Sequence, residues 1–264
     1  IMTTPLLNYL RLHTRSRLVR LGIIGVMLLT LASVLGSYSR GGLIAMGAMM
    51  TFLWFKSRAK IATLVLVGII GSAAFYAMPD RYMERIRTIG SANEDTSFKG
   101  RLDAWEVAWK VALDRPFGAG FDGPRQRVIW DRYLPMIESR ASHSIYFMVL
   151  GEHGFVGLAL YLIMCAIAWF NLSRVLALTR HQPRLLWARD LGAALQVSIV
   201  GFMVGGAALP MAYYDAFLLL LTLGSCLRVY IERVTAPVES TEVIRGPSRD
   251  LGRWSGAAMP GVRR

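Results

Sequence analysis

The sequence predicts an all-α, polytopic membrane protein of about six transmembrane helices, with one large external loop that carries amphipathic helices. Composition is the first reason: 54% of the residues are hydrophobic and the mean hydropathy is +0.42, above the apolar share of about 45 to 50% usual in soluble domains. The second is spacing, since the apolar runs fall into segments close to the roughly 20 residues a spanning helix needs. The third is charge, because the net +13 distributes itself by topology.

The runs are 21–38, 41–55, 61–78, 145–170, 191–213 and 216–230. The second and the last are short and need either flanking residues or a locally thin bilayer. With both ends of the chain on the inside, eighteen basic residues and five acids share that face, and twelve of each share the other. All of the +13 therefore lies inside, as the positive-inside rule requires. The basic character is then a matter of orientation, and it gives no reason to expect nucleic acid as a partner. Tyr38, Trp54, Tyr76, Tyr146, Trp169, Tyr213 and Tyr230 mark the span ends, as interfacial aromatics do. The outer face would be periplasmic in a Gram-negative inner membrane.

Four regions follow: 1–78, a basic approach and three spans; 79–144, the external loop; 145–233, three more spans; and 234–264, a disordered basic tail suited to anionic lipid headgroups. The chain opens at Ile1 without a signal pattern, as though inside a longer protein. Ser39-Arg40-Gly41-Gly42 joins the first two spans on the outside. Arg40 there reads either as a snorkelling or capping residue or as an anion ligand at the start of the next helix. Cys165 and Cys226 fall inside spans as small apolar filler.

In the external loop, 101–115 has helical periodicity. Leu102, Trp105, Trp109, Ala112 and Leu113 form one face, and Asp103, Glu106 and Lys110 the other. Pro116 ends it. Such a helix should lie along the membrane surface or cover a cavity. A second short helix is expected from Pro124 to just before Pro135. Gly118-Ala119-Gly120-Phe121-Asp122-Gly123 has the letters of a dinucleotide fingerprint, but no strand precedes it, so a Gly-rich turn suffices. Gly151-Glu152-His153-Gly154 interrupts the fourth apolar run, predicting a short surface helix over 145–150 and a span from Phe155. Glu152 at that interface could orient a neighbouring donor. Gly201 and Gly205 make a small-residue packing face. Asn171-Leu172-Ser173 is a sequon only by its letters, since it falls inside.

Chemistry concentrates on Arg40, Arg101 and His143. Two arginines suit a diphosphate, whose oxygens a planar guanidinium binds in bidentate fashion. A neutral His can take a proton from a hydroxyl near neutral pH. By spacing alone the signal is weak, and a lone His at an interface is more often structural. No paired-Asp magnesium motif, zinc helix or phosphate-binding loop is present, so no metal and no cofactor is expected.

Ser39-Arg40-Gly41-Gly42, Gly100-Arg101 leading to Trp105, Pro116 with Gly118 and Gly120, His143-Ser144 with Tyr146, and Glu152-x-Gly154-x-x-Gly157 together resemble the O-antigen ligase and polymerase family. Within it they are most similar to the O-glycosylation ligases associated with exosortase systems. The resemblance covers roughly 33–172. It implies metal-independent, inverting transfer of a glycan from a polyprenyl-diphosphate carrier to an acceptor glycolipid, protein or glycan. It implies catalytic roles for His143, Arg101 and Arg40, with Arg40, Arg101, Trp105 and Glu152 contacting substrate. Ser144 stands where many relatives have Asn. The family has about twice as many helices, so the chain corresponds to a C-terminal half. A polysaccharide polymerase, a transporter of the lipid-linked glycan and a non-catalytic assembly subunit are the alternatives.

Overall fold

The computed structural model describes residues 2–37, 40–56, 68 and 96–236. The expected third span, the first part of the external loop and the basic tail lie outside them. Among the described residues every regular element is helical: α1 (Thr4–His13), α2 (Arg17–Gly36), α3 (Arg40–Lys56), α4 (Thr96–Asp114), α5 (Arg127–Tyr133), α6 (Ile145–Leu178), α7 (Leu186–Gly206) and α8 (Asp215–Thr235). Short 3-10 turns at Gly123–Arg125 and Pro183–Leu185 precede α5 and α7.

Three described helical stretches are long and apolar enough to cross a bilayer: Arg17–Val34, Ile145–Leu178 and Pro183–Gly206. The expected number of six is thus not reached among these residues. α3 is one turn short, and α8 carries Arg228, Glu232 and Arg233 in its last turns.

α6, α7 and α8 form the core. Ile145, Leu172 and Val175 of α6, Leu195 and Ile199 of α7, and Phe217, Leu221 and Ile231 of α8 are buried together, and the Phe202 and Phe217 rings stack 3.8 Å apart. Close approach depends on glycine. A Cβ at Gly206 would meet Ile145, and one at Gly224 would meet Leu172. The expected small face of α7 packs on α3, with Gly205 against Ala45 and Gly201 against Met49. Outward-facing Leu18, Leu29, Leu160, Ile167, Phe170 and Leu219 stay exposed, the lateral surface that lipid covers.

These contacts also set direction. Ala45 pairs with Gly205 and Met49 with Gly201, so α3 runs antiparallel to α7. Tyr146 donates to the Met203 carbonyl (2.9 Å), so α6 begins where α7 ends. The starts of α3, α6 and α8 and the end of α7 therefore share one end of the bundle, and α4 and α5 sit there. At the opposite end His13 lies 3.7 Å from Asp190. There Arg228 donates to Asn171 Oδ1 (2.7 Å) and to Glu232 (2.9 Å), and Asn171 donates to Ser225 (3.0 Å). Asn171, buried in this network, is not available as a glycosylation acceptor.

Candidate functional site

The site is built on a broken helix. Gly154 interrupts α6 with φ 66° and ψ −166°, conformations that only glycine adopts without strain. A Cβ there would collide with the Pro116 carbonyl. The expected short helix and span are thus one element with a kink at the expected place. A break strips helical partners from the carbonyls before it. The Gly-rich turn supplies them: Ala119 N–H donates to Gly151 O (3.0 Å) and Gly120 N–H to Glu152 O (2.9 Å). Gly118 and Gly120, at φ 76° and 85°, allow this approach, and any Cβ at Gly118 would strike the Glu152 backbone. The glycines that mimic a dinucleotide motif serve to seat a loop on a kink.

Glu152 locks that seat. Its side chain is 5% exposed. Oε1 accepts the Asp122 N–H (3.0 Å) and Oε2 accepts the Tyr213 hydroxyl (2.7 Å), so one carboxylate joins the turn to the α7–α8 connection. Burial, and then the Glu152 carboxylate, hold the Tyr213 phenol above its ordinary value. Phe121, His153 and Tyr213 meet edge to face around it.

α4 lies on the first turns of α6. Its buried residues are Ala104, Val107, Ala108, Val111 and Ala112, which corrects the face read from periodicity. Leu102, Trp109 and Leu113 are 43%, 49% and 60% exposed. The reason is Gly151: it lets Ala108 come within 3.1 Å of where its Cβ would be, so small residues take the closest contact while Trp105 and Trp109 meet Phe147 and Phe155 of α6. α4 also starts at Thr96, which places Arg101 in its second turn and not at its start.

Trp105, half-buried, stacks on Phe147 (4.6 Å between centroids, 5° between planes). Its Nε1–H donates to the Ser142 carbonyl at 2.6 Å. That bond pins the segment one residue before His143. His143 is exposed and has φ 45°, a left-handed conformation uncommon outside glycine and concentrated at functional sites. Partial burial first, and then the positive charges of Arg101 and Arg125, lower its proton affinity below the ordinary value of 6.5, so it is neutral at pH 7. Ser144 follows, buried, as the residue before α6, and its hydroxyl makes no capping bond.

Two arginines converge here that sequence reasoning did not single out. Arg125, paired with Asp122 (3.1 Å), is one of the charges felt at His143. Arg140 lies across Gly100, where a Cβ would be 2.6 Å from its guanidinium. Nothing in their spacing distinguishes them from the other basic residues of the loop. Both line a cavity of about 190 Å3 beside His143, together with Asp122, Trp130, Ser142, Glu152 and Pro210.

Arg101, Trp105, His143 and Glu152 are thus brought to one end of the bundle. The start of α3 reaches the same level. Arg40 is five residues before Ala45, about 7.5 Å along α3 at 1.5 Å per residue, and Ala45 packs on Gly205, one residue before the end of α7.

A family model described as O-antigen ligase matches residues 14–162. That span is more than half of the chain and includes Arg40, Arg101, Trp105, His143 and Glu152. The match is to the family as a whole and does not single out the exosortase-associated ligases. No curated protein and no solved structure matches the chain.

Proposed function

Because the chain belongs to the O-antigen ligase family, whose members are glycosyl-transfer enzymes of the membrane, we propose that it moves a glycan from a polyprenyl-diphosphate carrier to an acceptor hydroxyl on the outer face of a bacterial inner membrane. The observation that carries this reading is His143: exposed, neutral at pH 7, held in a left-handed conformation, and within the field of two arginines.

The acceptor O–H gives its proton to His143 as its oxygen attacks the anomeric carbon. The bond from that carbon to the diphosphate oxygen breaks, and its electron pair leaves with the diphosphate. Attack opposite the leaving group inverts the anomeric centre. Arg101 and Arg40 bind the diphosphate and stabilise the charge that grows on it. Arginine supplies the positive charge in this scheme and no divalent ion is invoked. Trp105 acts on the site through the Ser142 carbonyl and Glu152 through the Gly-rich turn, so both are positioning residues here. The exposed Leu102, Trp109 and Leu113 face of α4 rests at the bilayer surface, where the carrier's polyprenyl chain can stay in lipid.

The external placement is supported by the distribution of the +13 charge and by the convergence of α4, α5 and His143 at the end of the bundle opposite Arg180, Arg184 and Arg189. Reconstitution of the full-length gene product with a labelled lipid-linked glycan tests the reading. Label should pass to an acceptor, glycolipid, protein or growing glycan, with wild type and not with His143→Ala. Equal transfer by both proteins would refute it.

A further inference from the structure

Glycine inside a helix is unfavourable relative to alanine, so Gly100, the fifth residue of α4 and buried, serves something other than helix formation. What stands where its Cβ would be is Arg140. The Arg140 Cδ and Nη1 both lie 2.6 Å from that point and Cζ lies 3.2 Å from it, so the arginine side chain crosses the bare backbone of α4. Any larger residue at 100 displaces it. The long stem of an arginine packs as well as its head pairs, and a side chain laid across a helix restrains the segment that bears it.

That segment is the one that carries His143. Residues 138–143 belong to no helix or turn, so their place depends on what they touch. Arg140 touches Gly100, and the Ser142 carbonyl accepts the Trp105 Nε1–H at 2.6 Å. The two contacts stand five residues apart on α4 and two apart on the segment, so they hold it along the helix and not at a single point. Arg101 falls between them, next to Gly100 and one turn before Trp105, and its charge is one of those that lower the His143 proton affinity. The left-handed backbone of His143, φ 45°, persists only while its surroundings enforce it. One hydrogen bond leaves the segment free to swing, and the second tie removes that freedom.

We propose that Arg140 is a positioning residue for the transfer step: lying across Gly100, it holds the His143 segment against α4, so that His143 faces the same space as Arg101. Gly100 is the seat of this clamp. The role rests on the transfer reading above, and it requires neither Arg140 nor Gly100 to touch donor or acceptor.

The test uses the full-length gene product in lipid nanodiscs. Gly100→Ala is the sharper variant, because its methyl meets the end of a flexible side chain, which moves aside while the helix itself gains from alanine. It should unfold at no lower a temperature than wild type and still lose transfer, with kcat falling roughly ten- to a hundredfold, as small misplacements of a reacting group cause. Arg140→Ala should lose a similar factor, and Gly100→Ala serves alone if that variant does not fold. The double variant should lose no more than the worse single one, since both remove the same contact. Binding of bare polyprenyl diphosphate should be unchanged in all three, and hydrogen exchange of the peptide covering 139–143 should be faster than in wild type. Wild-type kcat in folded Gly100→Ala, additive losses in the double variant, or unchanged exchange each overturn the proposal. Weaker polyprenyl-diphosphate binding by Arg140→Ala also overturns it, since Arg140 would then be a ligand. The exchange measurement keeps the two readings apart. Faster exchange in the variants without transfer by wild type retains the clamp and sinks the transfer reading, whereas transfer by wild type with unaffected variants sinks the clamp alone.

Discussion

Trp105→Phe isolates how far the geometry at His143 depends on one hydrogen bond. The substitution keeps an aromatic ring to stack on Phe147 and removes the 2.6 Å bond to the Ser142 carbonyl. A neutral hydrogen bond contributes about 0.5 to 1.5 kcal/mol net, and a half-buried carbonyl left without its donor adds to the loss, so about 1 to 3 kcal/mol of anchoring disappears. The left-handed backbone at His143, φ 45°, itself costs on the order of 1 to 3 kcal/mol and persists only while its surroundings enforce it. The two quantities are of the same size. Releasing the anchor should therefore let the segment relax, leaving the productive conformer populated about 5- to 150-fold less. In a reconstituted transfer assay kcat should fall by that factor with little change in the donor KM, because neither Arg101 nor Arg40 is touched. The double variant with His143→Ala should be no slower than His143→Ala alone, since an anchor for an absent base has nothing to position. A kcat within twofold of wild type, or a loss confined to KM, would refute the reasoning.

His143→Ala should lower transfer by about 10² to 10⁴, whereas His153→Gln, in the Phe121 and Tyr213 cluster, should have a small effect. Because the His143 proton affinity is lowered, the neutral base is present above its pKa and lost as pH falls through it. Transfer should decline on the acid side at a value below 6.5, and a midpoint above that value would contradict the electrostatics at Arg101 and Arg125. Arg101→Lys keeps the charge and loses the bidentate fork, so transfer should drop roughly 10- to 100-fold, corresponding to about 1.4 to 2.7 kcal/mol at the transition state. Full activity in both Arg101→Lys and Arg40→Lys would leave them as surface charges. Cysteines introduced at Asn93 and Asp122 should react with an impermeant thiol reagent on intact cells and one at Ser57 should not, and the reverse pattern would invert the topology. Gly154→Ala should abolish stable insertion, seen as loss of full-length protein from the membrane fraction, since its Cβ would collide with the Pro116 carbonyl at φ 66°.

Much of the architecture was legible in residue order. Hydropathy marks the long helices because burial in lipid depends on each segment's own composition. Pro116 stops α4 and Gly154 breaks α6 because both act on their own backbone. Gly201 and Gly205 announce a packing face because their spacing puts them on one side of a helix. Arg101 and His143 could be nominated from chemistry and resemblance. What periodicity missed was most of the buried side of α4, because Leu102 and Leu113, which it weights heavily, face outward here and Ala104 and Ala108 fill the contact at Gly151.

The remainder was decided by tertiary structure. Glu152 reaches a backbone amide 30 residues away and a hydroxyl 61 residues away, and Trp105 reaches a carbonyl 37 residues away. No local pattern encodes such partners. They meet because the helix break exposes carbonyls that only a glycine turn can approach, and because the antiparallel run of α3 and α7 brings the start of one level with the end of the other. The convergence of Arg125, Arg140 and Trp130 on a cavity beside His143 has the same origin. The sequence determined which segments would be helices in a membrane. Only the packing of those helices determined which side chains face one another at their ends, since that depends on contacts between segments far apart in the chain.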